Sequence, residues 1–255
     1  MSIITMEQIA VMSVQYVHYT FDYYLDSMKR CNVQNIDFWG GSPHYCRLDY
    51  ATGTAAARKI HEMRDKVESL GMKIVIYTPE TLSYPYSISA PEQNIRDRTL
   101  DYFDMSMDDA LEMGTNRLFI NTGCSPLDIP REEGWKRAVE SIRKICDMAE
   151  KRSVFMMLEQ LQPYESNLLT NLPQMSAMIK EVNSPALKTC VDLVAMEVAG
   201  EHLEDYYQEL GEDVIQFIHY ADGDPSGHYI LGDGNLPLKE YIQTLEKHNY
   251  TGIVD

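Results

Sequence analysis

Val154-Phe155-Met156-Met157-Leu158-Glu159 decides the fold: five apolar residues run straight into a carboxylate. A short apolar run bounded by turn signals reads as a strand buried on both faces, which places Glu159 at the end of a central parallel strand. An ionised carboxylate is costly there unless a cation meets it. Two later runs finish in the same way, Leu187-Lys188-Thr189-Cys190-Val191 in Asp192 and Val214-Ile215-Gln216-Phe217-Ile218 in His219. In a barrel of parallel strands the C-terminal ends converge on one face, where such barrels carry their chemistry.

Working outward, the same alternation covers the chain. Strands are expected at Gln8–Val14, Asn35–Gly41, Lys73–Tyr77 and Arg117–Asn121, and helices at 20–31, 54–70, 91–113, 130–152, 171–182, 201–210 and 237–248. Asp222 to Gly234 reads as a loop, and Gly252–Asp255 begins an eighth strand. Strand alternating with helix argues for a parallel sheet, and eight strands in 255 residues argue for closure into a (β/α)₈ barrel, one TIM-barrel domain over residues 1–255. Only four residues of the eighth strand are present and no helix follows, so the seam between the first and last strands is expected to expose an edge. The natural chain is accordingly expected to continue past Asp255.

The formal net charge of −17 and the scatter of only 22 Lys and Arg oppose nucleic acid or an anionic membrane as a partner. Five cysteines without a C-x-x-C pair suit a reducing cytosol. The apolar runs fall short of the roughly 20 residues that span a bilayer. Self-association into a homo-oligomer is expected.

Glu159 and Asp192 lie 33 residues apart and Asp192 and His219 27, each about one strand-helix unit, so the three ends should be neighbours. Two carboxylates and an imidazole suit a divalent cation, Mn²⁺ first, then Mg²⁺, Co²⁺ or Zn²⁺. Taken singly, each has a plainer explanation: Asp192 as the cap of the next helix, His219 as a satisfied core residue. Glu165 sits in a Pro-Tyr loop able to swing over the same mouth, or to face water. His44 can meet a sugar hydroxyl or be an ordinary loop histidine. Trp39, Tyr77, Tyr84 and Tyr86 suit a carbohydrate wall as well as a core.

With these residues in place the chain resembles the sugar isomerase/epimerase branch of the xylose-isomerase-like barrels. The ordered series that carries the resemblance is FWGGSPH at 38, YTPET at 77, YPY at 84, PYESN at 163, VD at 191, HY at 228 and GDGNLPL at 232. The resemblance implies that Glu159, Asp192 and His219 hold a divalent metal and that Glu165 contacts substrate oxygen. It places His228 on the substrate side as well. It also implies a fourth ligand, a Glu about two residues after Asp255. Tagatose-type relatives carry a His three residues after the metal Asp and an Arg six after the metal His; Ala195 and Pro225 stand there instead, which favours the fructoselysine-like branch. The implied reaction is metal-dependent epimerisation at C3 of a small ketose or ketosamine, with Glu159 as one base. Rivals are an aldose–ketose isomerase, an endonuclease-IV-like phosphodiesterase and a non-catalytic carbohydrate-binding barrel.

Overall fold

Short apolar strands alternating with amphipathic helices place one parallel sheet inside a ring of helices. The computed structural model describes residues 4–82 and 85–255. Its strands are β1 (Ala10–Met12), β2 (Asn35–Gly40), β3 (Lys73–Pro79), β4 (Arg117–Ile120), β5 (Phe155–Glu159), β6 (Leu187–Asp192), β7 (Ile215–His219), a hairpin of β8 (Asp222–Asp224) and β9 (Ser226–Tyr229), and β10 (Ile253–Val254). The helices are α1 (Phe21–Arg30), α2 (Gly53–Ser69), α3 (Gln93–Met113), α4 (Arg131–Arg152), α5 (Leu172–Val182), α6 (Leu193–Val198), α7 (Leu203–Leu210) and α8 (Leu238–Lys247). Strands β1 to β7 and then β10 pair in that order, so the (β/α)₈ TIM barrel expected from the alternation is the fold.

The expected seam between the first and last strands is nearly closed. Ile9 forms a parallel bridge with Val254, whose N–H donates to Gln8 O at 2.9 Å, and the Gln8 amide reaches the carbonyls of Tyr250 and Gly252 at 3.1 and 3.2 Å. A glutamine side chain thus supplies hydrogen bonds that two short strands lack. The sequence reading missed the six-residue α6 that follows β6 without a loop, the β8–β9 hairpin inside the expected 222–234 loop, and short 3₁₀ turns at Ser13–Tyr16 and Arg47–Asp49. Among the described residues no helix is long and apolar enough to cross a membrane.

The pleat sorts side chains into two layers. Ile36, Phe38, Tyr77, Leu118, Ile120, Met156 and Leu158 pack outward against helix residues such as Tyr24, Ile60 and Met107. Ala10, Val75, Phe119, Met157, Cys190 and Phe217 fill the barrel interior. Counting by twos, Asp37 on β2, Glu159 on β5, Asp192 on β6 and His219 on β7 also point inward, one step nearer the mouth than the apolar plug.

One polar group in the outer layer has a measurable pH signature. Asp109 is 4% exposed; it accepts from Tyr45 Oη at 2.7 Å and faces Arg47 at 3.7 Å. Burial pushes its carboxyl from 3.8 up to about 6 against the pull of Tyr45 and Arg47. The folded state therefore binds the proton more tightly, and stability falls as pH rises through that window. The advantage of Asp109→Asn over the parent chain is expected to grow by about 1–2 kcal/mol between roughly pH 5 and pH 7.5, read by urea unfolding at both.

Candidate metal centre and active site

Glu159 and Asp192 end β5 and β6, and the registers Glu159 to Cys190 and Asp192 to His219 put the three strand ends side by side. His219 Nδ1 lies 2.6 Å from Glu159 Oε1. Its ring stacks on Phe119 with centroids 4.9 Å apart and meets the edge of Phe217 at 5.6 Å, so its orientation is set by packing. A carboxylate oxygen of Glu159, Cys190 Sγ and a ring nitrogen of His219 lie within 4.8 Å of one another, and so do ligand atoms of Asp37, His219 and Asp255. Asp192 stands outside both groups. Its Oδ1 accepts from Ala195 N at 2.8 Å, capping α6, while Oδ2 meets His228 Nε2 at 2.9 Å. Asp192 thus caps α6 with one oxygen and meets His228 with the other.

Burial raises the Glu159 carboxyl above its ordinary range despite His219, which makes it a better base. Burial opposes ionisation of Asp192 too, but the hydrogen bond and charge of His228 hold it below the usual carboxylate value. His219 sits well above the imidazole range: burial works against its charge, and Cys190 and Glu159 more than offset that. The Cys190 thiol is pushed up to about 12 by burial, so the anionic ligands here are the carboxylates. Four inward carboxylates (Asp37, Glu159, Asp192, Asp255) share two imidazoles, and Asp37 Oδ2, His219 Nε2 and Asp255 Oδ1 are buried without partners among the described residues. This excess of buried negative charge fits a divalent cation.

The other expected residues fall in different places. Trp39 is half-buried at the mouth, its indole N–H donating to Glu80 Oε2 at 3.0 Å and its ring lying where a Cβ on Gly41 would stand. His228 is carried over Asp192 by β9. Glu165 turns back on its own loop, accepting from Gln162 N at 3.0 Å, and burial raises its carboxyl. His44 is 6% exposed, with Nε2 at 2.9 Å from Tyr19 O and its ring against Phe21 and Tyr24. Tyr77 is wholly buried in the outer layer beside Phe38 and Tyr45, away from the mouth, because its neighbour Thr78 takes the inward position. Tyr86 stacks on Tyr102 at 4.2 Å, beside a cavity of about 220 Å³ also lined by Asn121 and Gly123; Tyr84 lies outside the described residues. Asp37 and Asp255 were not singled out from sequence, although an Asp between Ile36 and Phe38 in an apolar strand is itself a signal.

The loop that presents His228 is organised by Asp222. Its carboxylate accepts from Gly223, Gly232, Gly234 and Leu236 N–H groups at 2.9–3.1 Å. Burial opposes the charge, and these four donors outweigh it and lower the group. Ser226 in the same loop donates to Gln162 Oε1 at 2.8 Å. Asp222→Ala should therefore lose on the order of 10–100-fold of amide protection at residues 223, 232, 234 and 236 in hydrogen exchange, with the β4–β7 amides unchanged.

Comparison with known proteins agrees with this fold. A family model described as a xylose isomerase-like TIM barrel matches residues 26–255. A fructoselysine 3-epimerase of Escherichia coli O157:H7 is 32% identical over 219 residues, covering 85% of this chain and 78% of that protein. A crystal structure of D-psicose 3-epimerase in the presence of D-fructose superposes with a TM-score of 0.77 at 16% identity, covering 97% of this chain and 83% of the other. A 3-keto-D-glucoside 4-epimerase from E. coli does so at 0.77 and 14%, covering 97% and 90%. The last two share the fold while their names give different carbons, so the fold does not choose the reacting position.

Proposed function

Because the chain belongs to the xylose isomerase-like TIM barrel family and is a carbohydrate epimerase, we propose that it inverts C3 of a ketosamine of the fructoselysine type, using a divalent cation, Mn²⁺ in the first instance. The observation that carries the reading is the meeting of Glu159, Asp192 and His219 at three adjacent strand ends, in a chain so similar to a fructoselysine 3-epimerase. Glu159, Asp192 and His219 would hold the cation. When bound, it supplies positive charge beside the substrate oxygen that becomes negative as the C3 proton leaves.

Glu159 takes that proton. Its burial keeps the carboxylate poorly solvated and basic. Return from the opposite face needs a second acid. His228, fixed on Asp192, and Trp39, fixed on Glu80, flank the mouth and orient the sugar. The half-exposed His228 sits where a substrate hydroxyl enters. The unpaired state of all five cysteines supports a cytosolic setting.

The test is a panel of Amadori compounds and free ketoses assayed with chelator-stripped protein before and after Mn²⁺. Turnover of ketosamines to their C3 epimers, absent until metal is returned, is the expected outcome. Metal-independent turnover, or turnover of free ketoses alone, would contradict it.

A further inference from the structure

We infer that Asp37 is a positioning residue for His219: it receives the Nε2 proton, directly or through one water, and so leaves Nδ1 as the nitrogen turned to the cation. The inference rests on the metal-holding role given to His219 above. Asp37 is 0% exposed in the middle of β2, between two residues that pack outward. Thr78 Oγ1 donates to Asp37 Oδ1 at 2.7 Å, which fixes the carboxylate plane and aims Oδ2 into the barrel. There a carboxylate oxygen of Asp37, one of Asp255 and a ring nitrogen of His219 lie within 4.8 Å of one another. Since Nδ1 already faces Glu159 at 2.6 Å, the nitrogen left for this side is Nε2.

All three atoms, Asp37 Oδ2, Asp255 Oδ1 and His219 Nε2, are buried and without partners among the described residues. Buried polar atoms are ordinarily paired, and three orphans facing one another lack only a shared proton or a water. Asp and Glu carboxylates are acceptors alone, so the proton belongs on Nε2. A histidine that ligates a metal through one nitrogen commonly donates the other N–H to a carboxylate, which sets the tautomer and strengthens the ligand. Asp37 is the better placed of the two acceptors, because Thr78 holds it while Asp255 Oδ1 has no such clamp.

The test uses [¹⁵N]histidine-labelled protein, metal-free and loaded with diamagnetic Zn²⁺. In the parent chain His219 should show a slowly exchanging, downfield Nε2–H in both states and a metal-shifted Nδ1 in the loaded one. Asp37→Asn, which keeps the side-chain volume and an oxygen for Thr78, should move the Nε2–H upfield, speed its exchange and raise the Kd for Zn²⁺ about 10–100-fold with little change in Tm. Thr78→Val, which frees the carboxylate without removing it, should shift Kd in the same direction by less, and it serves if Asp37→Asn folds poorly. A metal-shifted Nε2 with the proton on Nδ1, or an Asp37→Asn protein with the parent's Kd and Nε2–H signal, would overturn the inference. A chain that bound no cation yet kept an Asp37-dependent Nε2–H would instead refute the proposed function.

Discussion

The Glu159→Gln protein is expected to epimerise its substrate on the order of 10³-fold more slowly than the parent chain, while unfolding within a few degrees of it. Gln has the volume of Glu, and its amide can still meet His219 Nδ1, where the carboxylate oxygen now stands at 2.6 Å. It cannot take a proton from carbon. Stability should change little, because the exchange removes a carboxylate that burial already disfavours. Cation affinity should weaken as well, so the assay is kcat at saturating Mn²⁺. Full activity restored by excess Mn²⁺ would mean that Glu159 only holds the cation and that another group is the base.

His219→Ala is expected to fail differently. The imidazole touches Glu159, stacks on Phe119 and has Asp37 and Asp255 behind it. Its loss takes away a proposed ligand and also the cationic neighbour of three inward carboxylates, a change that costs about 3–5 kcal/mol where a buried charge pair is broken from one side. Cation affinity by calorimetry should fall at least about 100-fold, with urea unfolding showing the stability loss. A variant that bound Mn²⁺ normally would remove His219 from the ligand set.

The barrel was legible because each strand is a buried apolar run closed by a glycine, a cap or a polar end. Thr20 and Asn171 cap helices α1 and α5 where those helices were expected to start, while α2 is capped by Thr52, two residues before its expected start. Glu159, Asp192 and His219 stood out because a charge at the end of such a run has to be explained. Which face a residue takes was not legible, since a strand apolar on both sides shows no alternation. Tyr77 therefore read as a wall of the mouth although it packs outward, and Asp37 passed unnoticed although it packs inward; an irregular register between Ile36 and Asp37 blurs the count further. His44 read as a loop residue open to substrate because the α1 aromatics that bury it come from twenty or more positions away. The β8–β9 hairpin was hidden in a run of Asp, Gly and Pro whose order comes from four N–H groups converging on Asp222, an arrangement with no local pattern.

The most direct measurement is the position of solvent hydrogen in the product. Metal-loaded protein is incubated with fructoselysine in D₂O and followed by proton and deuterium NMR. The account predicts one deuterium at C3 of the epimer, with C1 and C4 unlabelled. Deuterium at C1 or C2 with the corresponding glycosylamine as product would make the chain an aldose–ketose-type isomerase, and inversion without any solvent label would contradict proton abstraction by Glu159.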